Sequence, residues 1–403
     1  MKTFFHYPTL QRAMLEGAEA RTNALGDLRE GVNNGTYRLG KDGLEIPDLL
    51  EAMTGIKPSR FLRNEVNESD LKEHAGGVTM SDFKLLTTAL ISKEIQAAPV
   101  QAELIADKLY KVEPSDPRPN ATPQPWIGGP TRWSNSKVKE LEPYKPVAPQ
   151  NGFISYAPQE KNGATVPFSK EALLTRNSSW IIQSGQNARD GGLITREIEM
   201  LKYVAGTLGK WKFGKNDSTF TEYNTYNTAV TGSAVKNSLT ANPLDSWTNI
   251  DTAMQAFRDM KDPVSGEFIA QPKSVVLIVP MCIFMKANVI KNAVVTTNYN
   301  AAIASATIRY EGPNPLNAAL TMEILASPYF DEITGSTSST YTWYMGQPTK
   351  CFVNDQVWGP KFEELSDGGE GSFWKDLALA LKLSWMEQYV VQNNTQMLKI
   401  ANS

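Results

Sequence analysis

The chain has 403 residues, 41% hydrophobic and 21% charged, the balance of a soluble globular protein with a substantial core. A formal net charge of -3 excludes a whole-protein basic field for gripping nucleic acid and leaves room only for a local patch. The two cysteines, Cys282 and Cys351, exclude a disulfide framework; both sit among apolar residues and read as reduced core side chains.

The start MKTFFHYPTLQ turns polar too soon for a secretory signal. The longest uninterrupted apolar run, residues 275–285, falls short of the roughly 20 residues a membrane span needs. The expectation is a chain made in, or assembled from, the cytoplasm. A helical stretch, YPTLQRAMLEGAEARTNALGDLREGV, opens the chain and is followed by glycine-rich turns and IPDLLEAM. Residues 80–112 place Phe83, Leu86, Leu90, Ile91 and Ile95 at helical spacing, and after Pro99 a short second helix carries Leu104, Ile105 and Leu109. The proline-dense EPSDPRPNATPQPWIGGP cannot be helical and reads as an extended arm. Residues 131–165 are polar and lysine-rich, which predicts a hairpin or a long two-stranded loop that projects for a purpose. VPFSKEALLTR restores regular structure, with Ser169 placed to cap a helix.

GLITREIEMLKYVAGTL, residues 192–208, predicts a helix with Ile194, Ile198, Leu201, Ala205 and Leu208 on one stripe and Arg196, Glu199 and Lys202 facing away. Residues 212–243, rich in Asn, Thr and Ser, read as loop. WTNIDTAMQAFRDMK predicts an amphipathic helix, with Trp247, Ile250, Met254 and Phe257 on one side, that stops at the turn DPVSGE. In PKSVVLIVPMCIFMKANVIKN, a doubly buried strand, 275–279, meets Pro280 and then a helix whose core stripe is Ile283, Ala287 and Ile290. A phosphate-binding turn needs glycine and backbone N–H groups there, so this stretch reads as packing. Short strands and turns follow. DLALALKLSW alternates Leu377, Leu379, Leu381 and Leu383, and period two favours a strand over the helical propensity of Leu and Ala.

Reaction chemistry finds little support. The histidines, His6 and His74, have no partners at catalytic or metal spacing and read as surface residues. GKWKFGKN, residues 209–216, mimics a phosphate loop but ends in Asn216 where Ser or Thr holds magnesium, and it follows a helix instead of a strand. It reads as a basic loop whose Lys210, Lys212 and Lys215 suit a helix C-terminus or face a phosphate backbone. Glu363, Glu364, Asp367 and Glu370 cluster in a glycine-rich stretch without calcium spacing and read as a solvated loop. The nine tryptophans read as core or interface anchors.

In order, VPFSKEALLTRNSSWI leading into GLITREIEMLKYVAGTLG, then WTNIDTAMQAFRDMKDPVSGEFI, then PKSVVLIVPMCIFMKANVIKN, then NPLNAALTMEILASPYF with STYTWYMG, resembles the major capsid proteins of tailed bacteriophages. The likeness is to the Hong Kong 97-like shell fold, and within it to the Mu-like head subunits, over residues 80–403. It implies an α+β capsid fold with an N-terminal arm, an extended loop, a peripheral domain with a long spine helix, and an axial domain. The implied segments are an N-terminal extension (1–75), helices and arm (76–130), extended loop (131–168), peripheral domain (169–240), axial domain (241–350) and return strands (351–403). The implied role is structural, without catalytic residue, cofactor or metal: a subunit self-assembling into pentamers and hexamers of an icosahedral head around double-stranded DNA. Implied partners are copies of the chain, a portal, a scaffold, a maturation protease, decoration proteins, and packaged DNA held weakly and non-specifically; no membrane is involved. Assembly is expected in the host cytoplasm, and the mature location is the virion. Candidate intersubunit contacts are Trp126, Trp133, Lys137, Lys139, Tyr144, Lys145, Tyr156 and Lys161. Some members cross-link a loop lysine to an asparagine, but no lysine here is matched to that position. An encapsulin-type compartment and a nucleotide-dependent enzyme using residues 209–216 are the alternatives.

Overall fold

A computed structural model of the chain describes residues 45–54, 57–62, 80–100, 103–127 and 151–175. It further describes residues 178–365 and 377–402 apart from short internal gaps, the longest at 300–308, and scattered positions between 20 and 34. Most of the first predicted helix and both histidines lie outside the described residues; the scattered described positions from 20 to 31 are helical. The helices are α1 (Ile46–Thr54), α2 (Pro58–Leu62), α3 (Met80–Ala97), α4 (Ala106–Leu109), α5 (Lys170–Thr175), α6 (Ser178–Ala205), α7 (Trp247–Asp259), α8 (Phe284–Asn292), α9 (Pro328–Thr334) and α10 (Pro348–Cys351). Four strands precede α6 or flank it in the chain: β1 (Lys111–Pro114), β2 (Thr122–Ile127), β3 (Asn151–Tyr156) and β4 (Glu160–Ser169). After it come β5 (Lys210–Gly214), β6 (Thr221–Asn224), β7 (Ser238–Leu239), β8 (Ser274–Pro280), β9 (Val295–Tyr299), β10 (Arg309–Pro313) and β11 (Thr321–Ser327). The last four are β12 (Thr342–Gly346), β13 (Phe352–Leu365), β14 (Leu377–Val391) and β15 (Met397–Ala401). The mixture is α+β, as expected.

The chain divides into two compact units, one drawn from residues 1–102, 161–193 and 359–385, the other from 103–160, 194–358 and 386–403. In the first unit, Leu90, Ile91 and Ile95 of α3 and Ile46, Leu49, Leu50 and Met53 of α1 are buried. The starts of α1 and α6 cap one another: the Ser178 hydroxyl accepts from the Ile46 amide at 3.0 Å, and the Glu45 carboxylate accepts from the Ser178 amide at 3.0 Å. Ser169 caps α5 as predicted, its hydroxyl accepting from the Ala172 amide at 3.2 Å.

The second unit is built on a five-stranded sheet of order β11-β8-β12-β15-β7, with β8 and β11 parallel and β12 antiparallel to both β8 and β15. Strand β8 is apolar because both its faces are covered. Val275, Leu277 and Val279 meet Ile250, Ala253, Met254 and Phe257 of α7 and Ile283, Ala287 and Ile290 of α8 in one cluster. Ile278 belongs to the other cluster, with Met200, Leu201, Val204 and Ala205 of α6. Each fully buried aliphatic side chain contributes roughly 1.5–3 kcal/mol relative to exposure. The turn after α7 closes as expected, with the Gly266 amide donating to the Asp262 carbonyl at 2.9 Å. Strand β14 confirms that the period of two outweighs helical propensity.

Several expectations are corrected. Helix α6 starts fourteen residues before Gly192, at Ser178. Arg196 is buried instead of facing away, and Leu208 lies past the helix end and is 54% exposed. The helix stops where Gly206 adopts φ +74, a left-handed conformation that glycine takes without strain, with the Thr207 amide returning to the Lys202 carbonyl at 3.0 Å. Residues 210–214 and 221–224 are strands, not loop. Within 131–165, residues 151–156 are an inner strand of the sheet β2-β3-β5-β6, and 160–169 form the edge of the sheet β1-β13-β14-β4. Antiparallel pairing of β2 with β3, from Thr122 opposite Tyr156 to Ile127 opposite Asn151, makes them a hairpin whose connection lies outside the described residues. Glu363 and Glu364 belong to β13 instead of a loop. Cys351 is buried as expected, but Cys282 is exposed, because it falls on the outer side of the turn that buries Ile283.

Candidate functional site: a buried charge cluster and the anchored arm

In the second unit the most concentrated chemistry is the set of charges gathered around Arg196 on α6. Its Nε donates to Glu387 Oε1 at 2.5 Å and its Nη2 to Glu387 Oε2 at 3.1 Å, a bidentate pair between side chains 6% and 0% exposed. Nη1 reaches the more exposed Asp107 at 2.7 Å. Glu387, on β14, also accepts from the Tyr389 hydroxyl at 2.6 Å, from Asn354 Nδ2 at 2.6 Å and from Gln356 Nε2 at 3.4 Å. Alternation on a strand turns Glu387 and Tyr389 to one face of β14, and Asn354 and Gln356 to one face of β13.

This arrangement is chemically closed. Both Glu387 oxygens are occupied by donors, so the carboxylate has no free lone pair directed at a substrate. Burial, and then the neighbouring Glu387 charge, push the Tyr389 hydroxyl well above its ordinary range, so it stays a donor. Burial alone would lower the Arg196 guanidinium, but its bonds to Glu387 and the charges of Glu387 and Asp107 override that and keep it charged. One residue on, Glu197 accepts from the amides of Ile105 at 2.9 Å and Ala106 at 3.0 Å, satisfying N–H groups at the start of α4. Burial raises its carboxyl above the ordinary range, and the two amide bonds oppose the shift.

A second knot anchors the proline-rich arm. Gln159, in the turn between β3 and β4, donates to Ser115 Oγ at 2.9 Å and Asp355 Oδ2 at 2.8 Å, and accepts from the Arg118 amide at 2.9 Å. Arg118 pairs with Asp355, bonds Thr122 Oγ1 at 2.8 Å, and lies 5.6 Å from the centroid of the Tyr156 ring. Residues 115–122 are thereby tied both to β13 and to the β3–β4 turn.

Of the candidate contact residues, Trp126 is buried against Phe213 and Trp211, with ring centroids 5.3 and 6.3 Å away, and Tyr156 is buried in the same cluster. These two offer almost no surface to a neighbour. Lys161 is exposed on β4. Trp133, Lys137, Lys139, Tyr144 and Lys145 lie outside the described residues. The strand β5 carries Lys210 and Lys212, whose ammonium groups meet Glu222 of β6 at 3.3 and 2.7 Å and lower its carboxyl. Lys215 follows, exposed. A phosphate loop is thus absent from this segment: it is a β5 ladder strand.

At the strand–proline–helix turn, the N–H groups sequence reasoning discounted do exist, one and two residues after Pro280. Asp331 takes both, from Met281 at 2.6 Å and from Cys282 at 3.1 Å. The Arg196–Glu387 pair escaped sequence reasoning, although a signal was present. Extending the β14 alternation from Leu381 and Leu383 through Trp385 puts Glu387 on the inward face. Among the described residues no group of His, Cys, Asp or Glu could hold a metal ion, and no helix is long and apolar enough to cross a membrane.

No family model matches the chain, and no curated protein sequence matches it. Among solved structures, it is similar to the capsid of the cyanophage P-SCSP1u, at 12% identity and a TM-score of 0.43, over 75% of this chain and 89% of that one. It is similar to the mature capsid of bacteriophage PhiM1 at 9% identity and a TM-score of 0.44, over 75% and 88% of the two chains. It is also similar to a virus-like particle from Pyrococcus furiosus at 9% identity and a TM-score of 0.39, over 79% and 98%.

Proposed function

We propose that the chain is a structural protein, the major capsid subunit of a tailed phage, which self-assembles as pentamers and hexamers into an icosahedral head around double-stranded DNA. The observation that carries this reading is the anchoring of the arm. Residues 115–122 are tied to β13 and the β3–β4 turn by Gln159, Arg118 and Asp355, and the carboxylate at the centre of the larger charge cluster is taken up by donors of the chain itself. A fixed root lets an arm bind a neighbour without first losing its own freedom, which otherwise costs about 1–2 kcal/mol per residue ordered. Near-neutral net charge lets many copies crowd with little self-repulsion.

On this reading residues 241–350 form the axial domain, and 169–240, with most of the long helix, the peripheral domain. Function lies in contacts between copies, with portal, scaffold, protease and decoration proteins as further partners. Assembly takes place in the host cytoplasm and the finished subunit resides in the virion. Electron microscopy and sedimentation of the purified, concentrated protein are expected to show rings or shells. A strictly monomeric species across salt, pH and crowding conditions would sink the reading. Nucleic acid in native particles is expected, whereas particles holding only an enzyme cargo would point to an encapsulin-type compartment.

A further inference from the structure

An open sheet edge is a row of unpaired backbone N–H and C=O groups that a further strand can take up, and proteins guard such edges with charge, proline or brevity. The sheet β1-β13-β14-β4 ends on β1, which carries Lys111 and Pro114, and on β4, which carries Lys161 and Pro167. The sheet β2-β3-β5-β6 ends on β2, with Pro123 and Pro125, and on β6, with Glu222. The five-stranded sheet ends on β11, with the exposed Glu323, and on β7, which is 2 residues long.

Among the described residues, β9 and β10 form a sheet of their own, with Pro313 opposite Val295 and Arg309 opposite Tyr299. The β10 edge is guarded like the others, by Arg309, Glu311 and Pro313. The β9 edge is not. Its 5 residues, VTTNY, hold no charge and no proline, and all but Asn298 are β-branched or aromatic, the types that favour a strand. A lone two-stranded ribbon is marginal in water and gains stability from a third strand.

Elimination names that strand. Against any other edge of a second copy, β9 would meet a proline without an N–H, a charge that loses its water, or a strand too short to pair fully. Against β9 of a second copy it meets none of these. The resulting order β10-β9-β9-β10 has only guarded β10 edges outside, so pairing closes at two copies and does not run on into a fibre.

We propose that β9 pairs antiparallel with β9 of a second copy across a two-fold axis. Full overlap of the two strands puts the axis at Thr297, which then faces Thr297 of the other copy, while Val295 faces Tyr299. Opposed threonines are a favourable cross-strand pair. Strands this short bury too little to hold a dimer alone, so the pairing is one contact among several in an assembly. It rests on reading the chain as an assembling subunit.

The test is single-cysteine cross-linking with a short bismaleimide in a Cys282→Ser background, with unchanged circular dichroism as the check on folding. Thr297→Cys is expected to give a covalent dimer about ten-fold faster than Thr321→Cys, exposed on the guarded β11 edge, because the axis holds the two thiols at high effective concentration. Thr297→Lys and Thr297→Glu, each alone, are expected to shrink the associated fraction in sedimentation by opposing like charges, and mixing the two to restore it. Equal cross-linking rates at 297 and 321, or no recovery on mixing, overturn the pairing. If shells form in the microscope while the two rates are equal, the pairing fails and the capsid reading stands. A fast Thr297→Cys cross-link in a protein that never goes beyond the dimer upholds the pairing and sinks the capsid reading.

Discussion

Residues 178–193 and 194–205 form one continuous helix, α6, but they are made of different material. The later stretch carries Met200, Leu201, Val204 and Ala205 on a buried face, the ordinary amphipathic pattern. The earlier stretch carries Gly185, Gly191 and Gly192, each a poor helix former, and the buried Arg189 and Asp190. There the helix is specified by what docks on it. A side chain at Gly185 would run into Ile95 and Leu381, so the glycine sets the close approach of α3 and β14. Arg189 Nη1 donates to the carbonyl of Ile95 and, at 2.9 Å, to that of Ala98, closing the C-terminal end of α3, while Arg189 itself pairs with Asp190 at 2.7 Å. One half is therefore held by apolar periodicity plus the ion pairs of Arg196 with Glu387 and Asp107, the other by side chains packed closely on a bare glycine plus a capping arginine.

The difference can be broken from either side. Glu387→Ala strips the partner from a buried arginine and is expected to lower unfolding stability by about 3–5 kcal/mol, measured by denaturant titration. A loss below about 1 kcal/mol would show that water reaches Arg196 and that the cluster is not sealed. Arg189→Ala acts on the other half. Orphaning the carbonyls at the end of α3 is expected to cost about 1–3 kcal/mol and to speed amide exchange in the last turn of α3 before that of residues 194–205. Uniform acceleration along the whole helix would remove the distinction drawn between the halves.

Glu197→Ala is expected to cost about 1–3 kcal/mol by leaving the Ile105 and Ala106 amides unpaired, and Glu197→Gln less, since the amide oxygen still accepts. The folded carboxyl titrates above its unfolded value. Below the unfolded value both states are protonated and the ionisation penalty is absent. As pH rises through the window between the two values, the unfolded chain releases its proton first, so stability falls, and the penalty is complete above the folded value. Stability measured against pH should therefore lose that downward slope in Glu197→Gln; an identical slope in both proteins would assign it elsewhere. The smallest expected effect is a gain. A Cβ at Gly191 meets nothing within 4 Å, so Gly191→Ala should stabilise by about 0.5–1 kcal/mol through the unfolded chain's lost freedom. A decrease in melting temperature would mean that the helix backbone at 191 is not relaxed.

Much of the fold was legible without coordinates wherever a local period coincided with a local role. Helix α7 buries Ile250, Met254 and Phe257 as its spacing implied, β8 turns into α8 at Pro280, and alternate leucines made β14 a strand. Two residues depart from what their sequence neighbours imply, for a shared reason: the environment of each is set by the tertiary fold and not by the adjoining residues. Arg196 lies off the apolar stripe of its helix yet is buried, and Cys282 lies among apolar residues in the sequence yet is exposed. The candidate site was less legible than the fold. Of the proposed contact residues, Trp126 and Tyr156 turned out to be spent on the chain's own core, while the Gln159 knot joins residues too distant in sequence for any spacing rule.

By itself the sequence determined which short segments repeat at 3.6 or 2 residues, where proline stops a helix, and which covered strand is apolar throughout. These follow from backbone geometry and solvent exclusion over a few neighbouring residues. Tertiary structure alone decided that a glycine-rich stretch would be helix and that Arg196 would be buried. It also decided that the lysines of residues 210–214 would sit on a strand. The physical reason is that each of these depends on a partner supplied from elsewhere in the chain. Glu387 lies 191 residues from Arg196 and Ile95 lies 94 from Arg189, and a buried charge or a bare glycine is stable only once that partner has arrived.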